Sequence, residues 1–173
     1  RGLSSKGKMG RRVIIERERD AARTYMQSRF GGEHLDHWVR QVRISDGGTI
    51  LVPMQSEGAF CGVQRTYLDH SGNKIERKML GRRGFLPIRW PAGVKPLDLG
   101  IGRYRLIGEG FETDGVVVQA AGQPGVCTFD AAGIRRWADE QAKAAERLSE
   151  EQKAAADAAV ILVDEDESQT GQK

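Results

Sequence analysis

The chain has 173 residues, 39% of them hydrophobic and 29% charged, with a formal net charge of +3, enough for one respectable core or two small ones. No apolar run approaches the ~20 residues of a membrane span and no signal-peptide pattern opens the chain, so a cytoplasmic protein with no membrane partner is expected. Cys61 and Cys127 stand far apart, with no Cys or His at ligand spacing; that argues against a disulfide framework and a zinc ribbon and leaves two reduced, buried thiols.

The charge is unevenly spread. Residues 1–95 hold 19 Lys/Arg against 9 Asp/Glu, a balance of +10, and residues 96–173 hold 8 against 15, a balance of −7. A basic front suits phosphate and an acidic back suits a metal ion.

Residues 1–13 are rich in Gly, Ser and basic side chains and read as a flexible lead-in, as expected of a segment cut from a longer protein. Residues 14–30 carry Ala21, Ala22, Tyr25, Met26 and Phe30 among many charges and end at Gly31-Gly32, which predicts a surface helix with a glycine C-cap. From 37 to 90 the period shortens to about two. Strands are predicted over 37–44, 49–55, 59–68 and 74–80, divided by Asp46-Gly47-Gly48, Glu57-Gly58 and His70-Ser71-Gly72-Asn73, as an antiparallel meander requires. Pro91 and Pro96 then mark a linker, because neither residue donates a backbone hydrogen bond.

Beyond residue 100 the pattern is strand 103–109, helix 112–121, strand 125–129, a long helical stretch 131–158 and strand 159–164. Such alternation predicts parallel strands with right-handed crossovers. Ser149 followed by Gln152 has the form of a capping box, so a break near 149 is expected. The predicted fold class is α/β (α+β overall): a basic, antiparallel, strand-rich subdomain over 14–96, followed by a parallel β-α-β-α-β unit over 97–173.

Several motifs are absent. There is no Gly-x-x-x-x-Gly-Lys-Ser/Thr, and the Gly-x-Gly pieces at 100–102 and 108–110 lack the rest of a dinucleotide fingerprint. His34 and His37 have no nearby Cys or well-spaced acid for a metal, and no Ser-His-Asp or Cys-His triad can be assembled. What stands out is Glu109, after Arg-Leu-Ile-Gly, and Asp164-Glu165-Asp166, after Val-Ile-Leu-Val. Both close short apolar runs, at the C-terminal strand ends where open α/β sheets bind ligands. Asp164 and Asp166 would share one face of a continuing strand while Glu165 points away. Carboxylates in that pattern suit Mg²⁺ or Mn²⁺ with waters and phosphate oxygens completing the shell.

An acid in a Glu-Gly context after the first strand and an Asp-x-Asp after the third resemble the Toprim domain, shared by bacterial-type primases, topoisomerases, some nucleases and recombination factors. Ahead of it, Ile50-Leu51-Val52-Pro53-Met54, Phe60-Cys61-Gly62-Val63-Gln64-Arg65 and Glu76-Arg77-Lys78-Met79-Leu80-Gly81 are similar to strands of the basic subdomain before the Toprim domain of bacterial-type primases. The form is nearest to the primase/helicase-like Toprim proteins of plasmids, phages and integrative elements, and covers roughly residues 20–173. The resemblance implies Mg²⁺ (or Mn²⁺) held by Asp164, Asp166 and Glu109, with Glu109 either a further ligand or the acid/base acting on a hydroxyl. It implies that Arg65 and Lys78 contact template or nucleotide phosphates, with Arg77, Arg82 and Arg83 adding positive potential. The implied partners are a single-stranded DNA template, nucleoside triphosphates and a replicative helicase; the implied activity is RNA primer synthesis. A complete Toprim fold continues through another helix and strand, so the stretch ending at Lys173 is expected to be an incomplete Toprim domain that need not be active alone, and the zinc module that opens many primases has no counterpart in it. Two other readings stay open: a Toprim nuclease or topoisomerase-like module, although Tyr25, Tyr67 and Tyr104 lie in no recognisable catalytic context, and a non-catalytic nucleic-acid-binding module.

Overall fold

The computed structural model describes residues 19–93, 95, 104–149 and 158–162. Asp164 and Asp166, the basic lead-in and the helical segment expected after Ser149 lie wholly or largely outside the described residues. In chain order the elements are helix α1 (19–30), α2 (Leu35–Gln41), β1 (Arg43–Ile44), β2 (Ile50–Ser56), β3 (Ala59–Leu68), β4 (Lys74–Gly81), β5 (Leu86–Ile88), β6 (Tyr104–Gly108), α3 (Phe111–Ala121), β7 (Gly125–Cys127), α4 (Ala131–Ala145) and β8 (Ala158–Ile161).

Two four-stranded sheets form, an antiparallel one in the order β1-β2-β3-β4 and a mixed one in the order β5-β7-β6-β8. The meander follows the turn chemistry. Asp69 accepts backbone hydrogen bonds from Ser71 and Asn73, both 2.8 Å, and Gly72 takes a φ of 83°, a conformation open to glycine at little cost. In the second sheet β6 runs parallel to both β7 and β8, as the alternation of strand and helix requires.

One expected strand is a helix. Leu35, Trp38, Val39 and Val42 recur at helical spacing, and α2 uses it to bury Trp38 completely. The Trp38 ring stacks on Phe30 with centroids 4.4 Å apart, and its indole N–H donates to Gln119 at 2.6 Å. An alternating reading of 37–44 misses this because burial of one large aromatic outweighs local strand propensity. The long helix also ends earlier than 149, at Ala145.

The linker does not separate the two sheets. β5, which precedes it, pairs antiparallel with β7, and Gln55 and Phe85 exchange backbone hydrogen bonds of 2.8 and 2.7 Å. One apolar cluster then gathers Tyr25 and Met26 of α1, Trp38, Ile50, Val52 and Met54 of β2, Leu106 of β6 and Phe111 and Val118 of α3. On the other face of the second sheet, Phe85, Ile107 and Val126 pack against Ile134 and Trp137 of α4. Helices α3 and α4 therefore cover opposite faces of the mixed sheet.

Candidate functional site

Strand β6 ends at Gly108, and Glu109 follows at its C-terminal end, exposed. Gly108 makes room there for the Asp114 carboxylate of α3, which a Cβ would displace. The next strand end is fixed by Thr128, whose N–H and hydroxyl both donate to the Gly108 carbonyl at 2.8 Å. Phe129 then takes a φ of 65°, strained for a side chain of that size. Asp130 caps α4 by accepting from the Gly133 N–H at 2.5 Å.

An open cleft of about 350 Å³ lies over these strand ends, lined by Glu109, Gly110, Glu112, Thr113 and Phe129, with Tyr25 and Arg29 from α1 and Lys74 and Arg77 from β4. Glu112, in the first turn of α3, joins the two halves. It accepts from Arg77 at 2.5 Å and from the Tyr25 hydroxyl at 3.0 Å. Arg29 lies 5.2 Å over the Tyr25 ring. Burial first, then the negative charge and hydrogen bond of Glu112, raise the Tyr25 hydroxyl above its ordinary range, against smaller opposing effects of Arg29 and Arg77. The Cys127 thiol beneath the site is pushed well up, chiefly by burial and then by Asp114.

The predicted basic residues divide. Arg65 and Lys78 are paired in register on the face of the first sheet away from the core, where Arg65 approaches the Tyr67 ring at 5.8 Å and Lys78 meets Glu76 at 3.0 Å. Arg77 pairs with fully buried Thr66 and so belongs to the inner face. Arg83 is bound to Asp130, which also takes Arg136 at 3.3 Å, so it braces the start of α4. Arg82 is exposed.

Sequence reasoning missed Tyr25, Arg29, Lys74 and Glu112. Glu112 could have been found, since a second acid three residues after Glu109 falls in the first turn of the following helix. Lys74 could not: a slip in the β3–β4 register between Tyr67 and Leu68 pairs Leu68 with Lys74 and leaves Ile75 unmatched, and such a bulge breaks the alternation that would have set Lys74 and Arg77 on opposite faces.

Glu109 has no ion-pair partner among the described residues, and an exposed, unpaired carboxylate at a strand end is a fit donor for a hard cation. No group of three metal-ligating side chains forms among the described residues. Among the described residues no helix is long and apolar enough to cross a membrane. No family model, no curated protein and no solved structure matches the chain.

Proposed function

We propose that the chain carries the catalytic site of a Toprim-type, primase-like nucleotidyltransferase that makes RNA primers on single-stranded DNA. The observation that carries this reading is Glu109, without an ion-pair partner among the described residues, at the end of the central strand β6, with β8 running parallel beside it and Val163 alone separating Leu162 from Asp164 in sequence. In this reading Glu109, Asp164 and Asp166 hold Mg²⁺ or Mn²⁺, which supplies positive charge to phosphoryl oxygens when bound. A primer 3′-hydroxyl forms a bond to the α-phosphate of an incoming nucleoside triphosphate, the bond to the β-phosphate oxygen breaks, and pyrophosphate leaves with the departing electron pair. The hydroxyl proton passes to a base, and Glu109 is the carboxylate placed to take it if it is not a ligand.

Template binding would fall to the outer face of the first sheet, where Arg65, Lys78 and Tyr67 combine charge with an aromatic ring, as single-strand binding surfaces do. A topoisomerase-like reading finds less support. Tyr25 does line the cleft, but it is buried and its hydroxyl donates to a Glu112 already engaged by Arg77, so it braces the cleft and is not presented to a phosphodiester. The test is primer synthesis from labelled ribonucleotides on single-stranded DNA by the full-length protein, beside Asp164→Ala with Asp166→Ala. Loss of product in the double variant is expected; product that survives it would sink the metal assignment.

A further inference from the structure

We propose that the cleft over Glu109 is a polyphosphate site in which Arg29, Lys74 and Arg77 take the phosphates of a cation-bound nucleoside triphosphate. The inference rests on the nucleotidyltransferase reading and deepens it by naming the residues, two of them outside any motif, that hold the leaving group.

The charges in the cleft carry the argument. Of its two carboxylates, Glu112 is satisfied by Arg77 and Tyr25, and Glu109 is not paired among the described residues. Of its three cations, Arg77 is engaged, whereas Lys74 and Arg29 have no ion-pair partner among the described residues. An unpaired carboxylate therefore faces two unpaired cations across one cleft of about 350 Å³ without neutralising them. A simple anion would leave Glu109 unmatched, and a simple cation would leave Lys74 and Arg29 unmatched. A ligand that joins a dense anion to a divalent cation satisfies both sides, and a metal-bound polyphosphate is that chemistry.

Arg77 fits the role because its guanidinium has five donors in a planar fork. One nitrogen is fixed by Glu112 at 2.5 Å, which orients the fork, and the others remain for phosphate oxygens. Glu112 is thus a positioning residue, and Tyr25, donating to the same oxygen, ties that carboxylate to α1. The register slip at Ile75 is what brings Lys74 to the same cleft as Arg77.

The test is calorimetric titration of the full-length protein with inorganic tripolyphosphate in the presence of Mg²⁺ and at fixed salt. Lys74→Ala and Arg29→Ala are expected each to weaken binding about 5- to 10-fold, the loss of one charge-assisted contact, while Lys143→Ala, at an exposed position of α4, leaves it within about 2-fold. Arg77→Lys, which keeps the charge opposite Glu112 but loses the fork, is expected to weaken binding as well and guards against misfolding of an alanine variant. Equal weakening by Lys143→Ala and Lys74→Ala, or no binding by the wild type at millimolar tripolyphosphate with Mg²⁺, would overturn the site. A second arm separates the sources of phosphate: a nucleoside triphosphate should displace tripolyphosphate, and displacement by a single-stranded oligodeoxynucleotide alone would overturn the nucleotide assignment. Because this measurement needs no turnover, intact tripolyphosphate binding without primer synthesis would fault the proposed reaction and leave the cleft standing. Primer synthesis that is indifferent to Lys74→Ala and Arg29→Ala would do the reverse.

Discussion

On the inner side of β4, Arg77 is drawn down by Glu112 beside buried Thr66, whereas Lys78, one residue on, stands with Arg65 on the open face and meets Glu76. The side chains of Arg77 and Glu112 are 31% and 14% exposed, against 53% and 48% for Lys78 and Glu76. A partly buried ion pair that also binds Tyr25 holds its geometry, while an exposed pair is screened and contributes little. In the proposed reading these adjacent cations of one strand serve different ligands, the inner one a small polyphosphate and the outer ones a long polyanion.

The largest expected effect concerns the support beneath the inner side. Gly108→Ala sets a methyl group against the Asp114 carboxylate, which must turn aside in a buried position, and should lower unfolding stability by about 1–3 kcal/mol, measured by urea denaturation. A neutral Gly108→Ala would mean that the Asp114 side chain is not held against β6.

Arg77→Ala strands Glu112 in a partly buried position and should cost about 1–2 kcal/mol, discounted for its solvent contact. Lys78→Ala should fall within about 0.5 kcal/mol. Equal losses would erase the distinction between the two sides. The contrast should reverse in salt dependence of single-stranded DNA binding, where Arg65→Ala and Lys78→Ala each reduce the slope by about 1.

Tyr25 sets a pH dependence. Its folded value lies above its ordinary 10.0, so its contribution is complete below about pH 10 and is lost as pH rises through the folded value. Tyr25→Phe should flatten the alkaline limb of a stability profile measured from pH 8 to 11. The smallest effect is chemical: Cys61, partly exposed, should react with a thiol reagent in the native state, and Cys127, buried with its thiol held well up, should not.

The period-two stretches at 59–68 and 74–80 and the β-α-β alternation around Glu109 were legible because turn glycines and apolar runs announce them. Helix α2 was legible only in the helical spacing of Leu35, Trp38, Val39 and Val42; what decides for it is Trp38 packing on Phe30 and Phe111, a partnership across distant segments. The three-residue β5 was hidden beside Pro87, which belongs to an edge strand. Of the site, Glu109 was legible as an acid after an apolar run. Its neighbours from α1 and β4 were not, because only the folded chain brings residues 25, 29, 74 and 77 to the end of β6.

The most direct measurement is incorporation of labelled ribonucleotide on single-stranded DNA, with Mg²⁺, by the full-length protein and its Glu109→Gln variant. The proposed site predicts product from the wild type and a loss of about 100-fold or more in the variant. Product formed at the wild-type rate by Glu109→Gln, or none from the wild type, would contradict it.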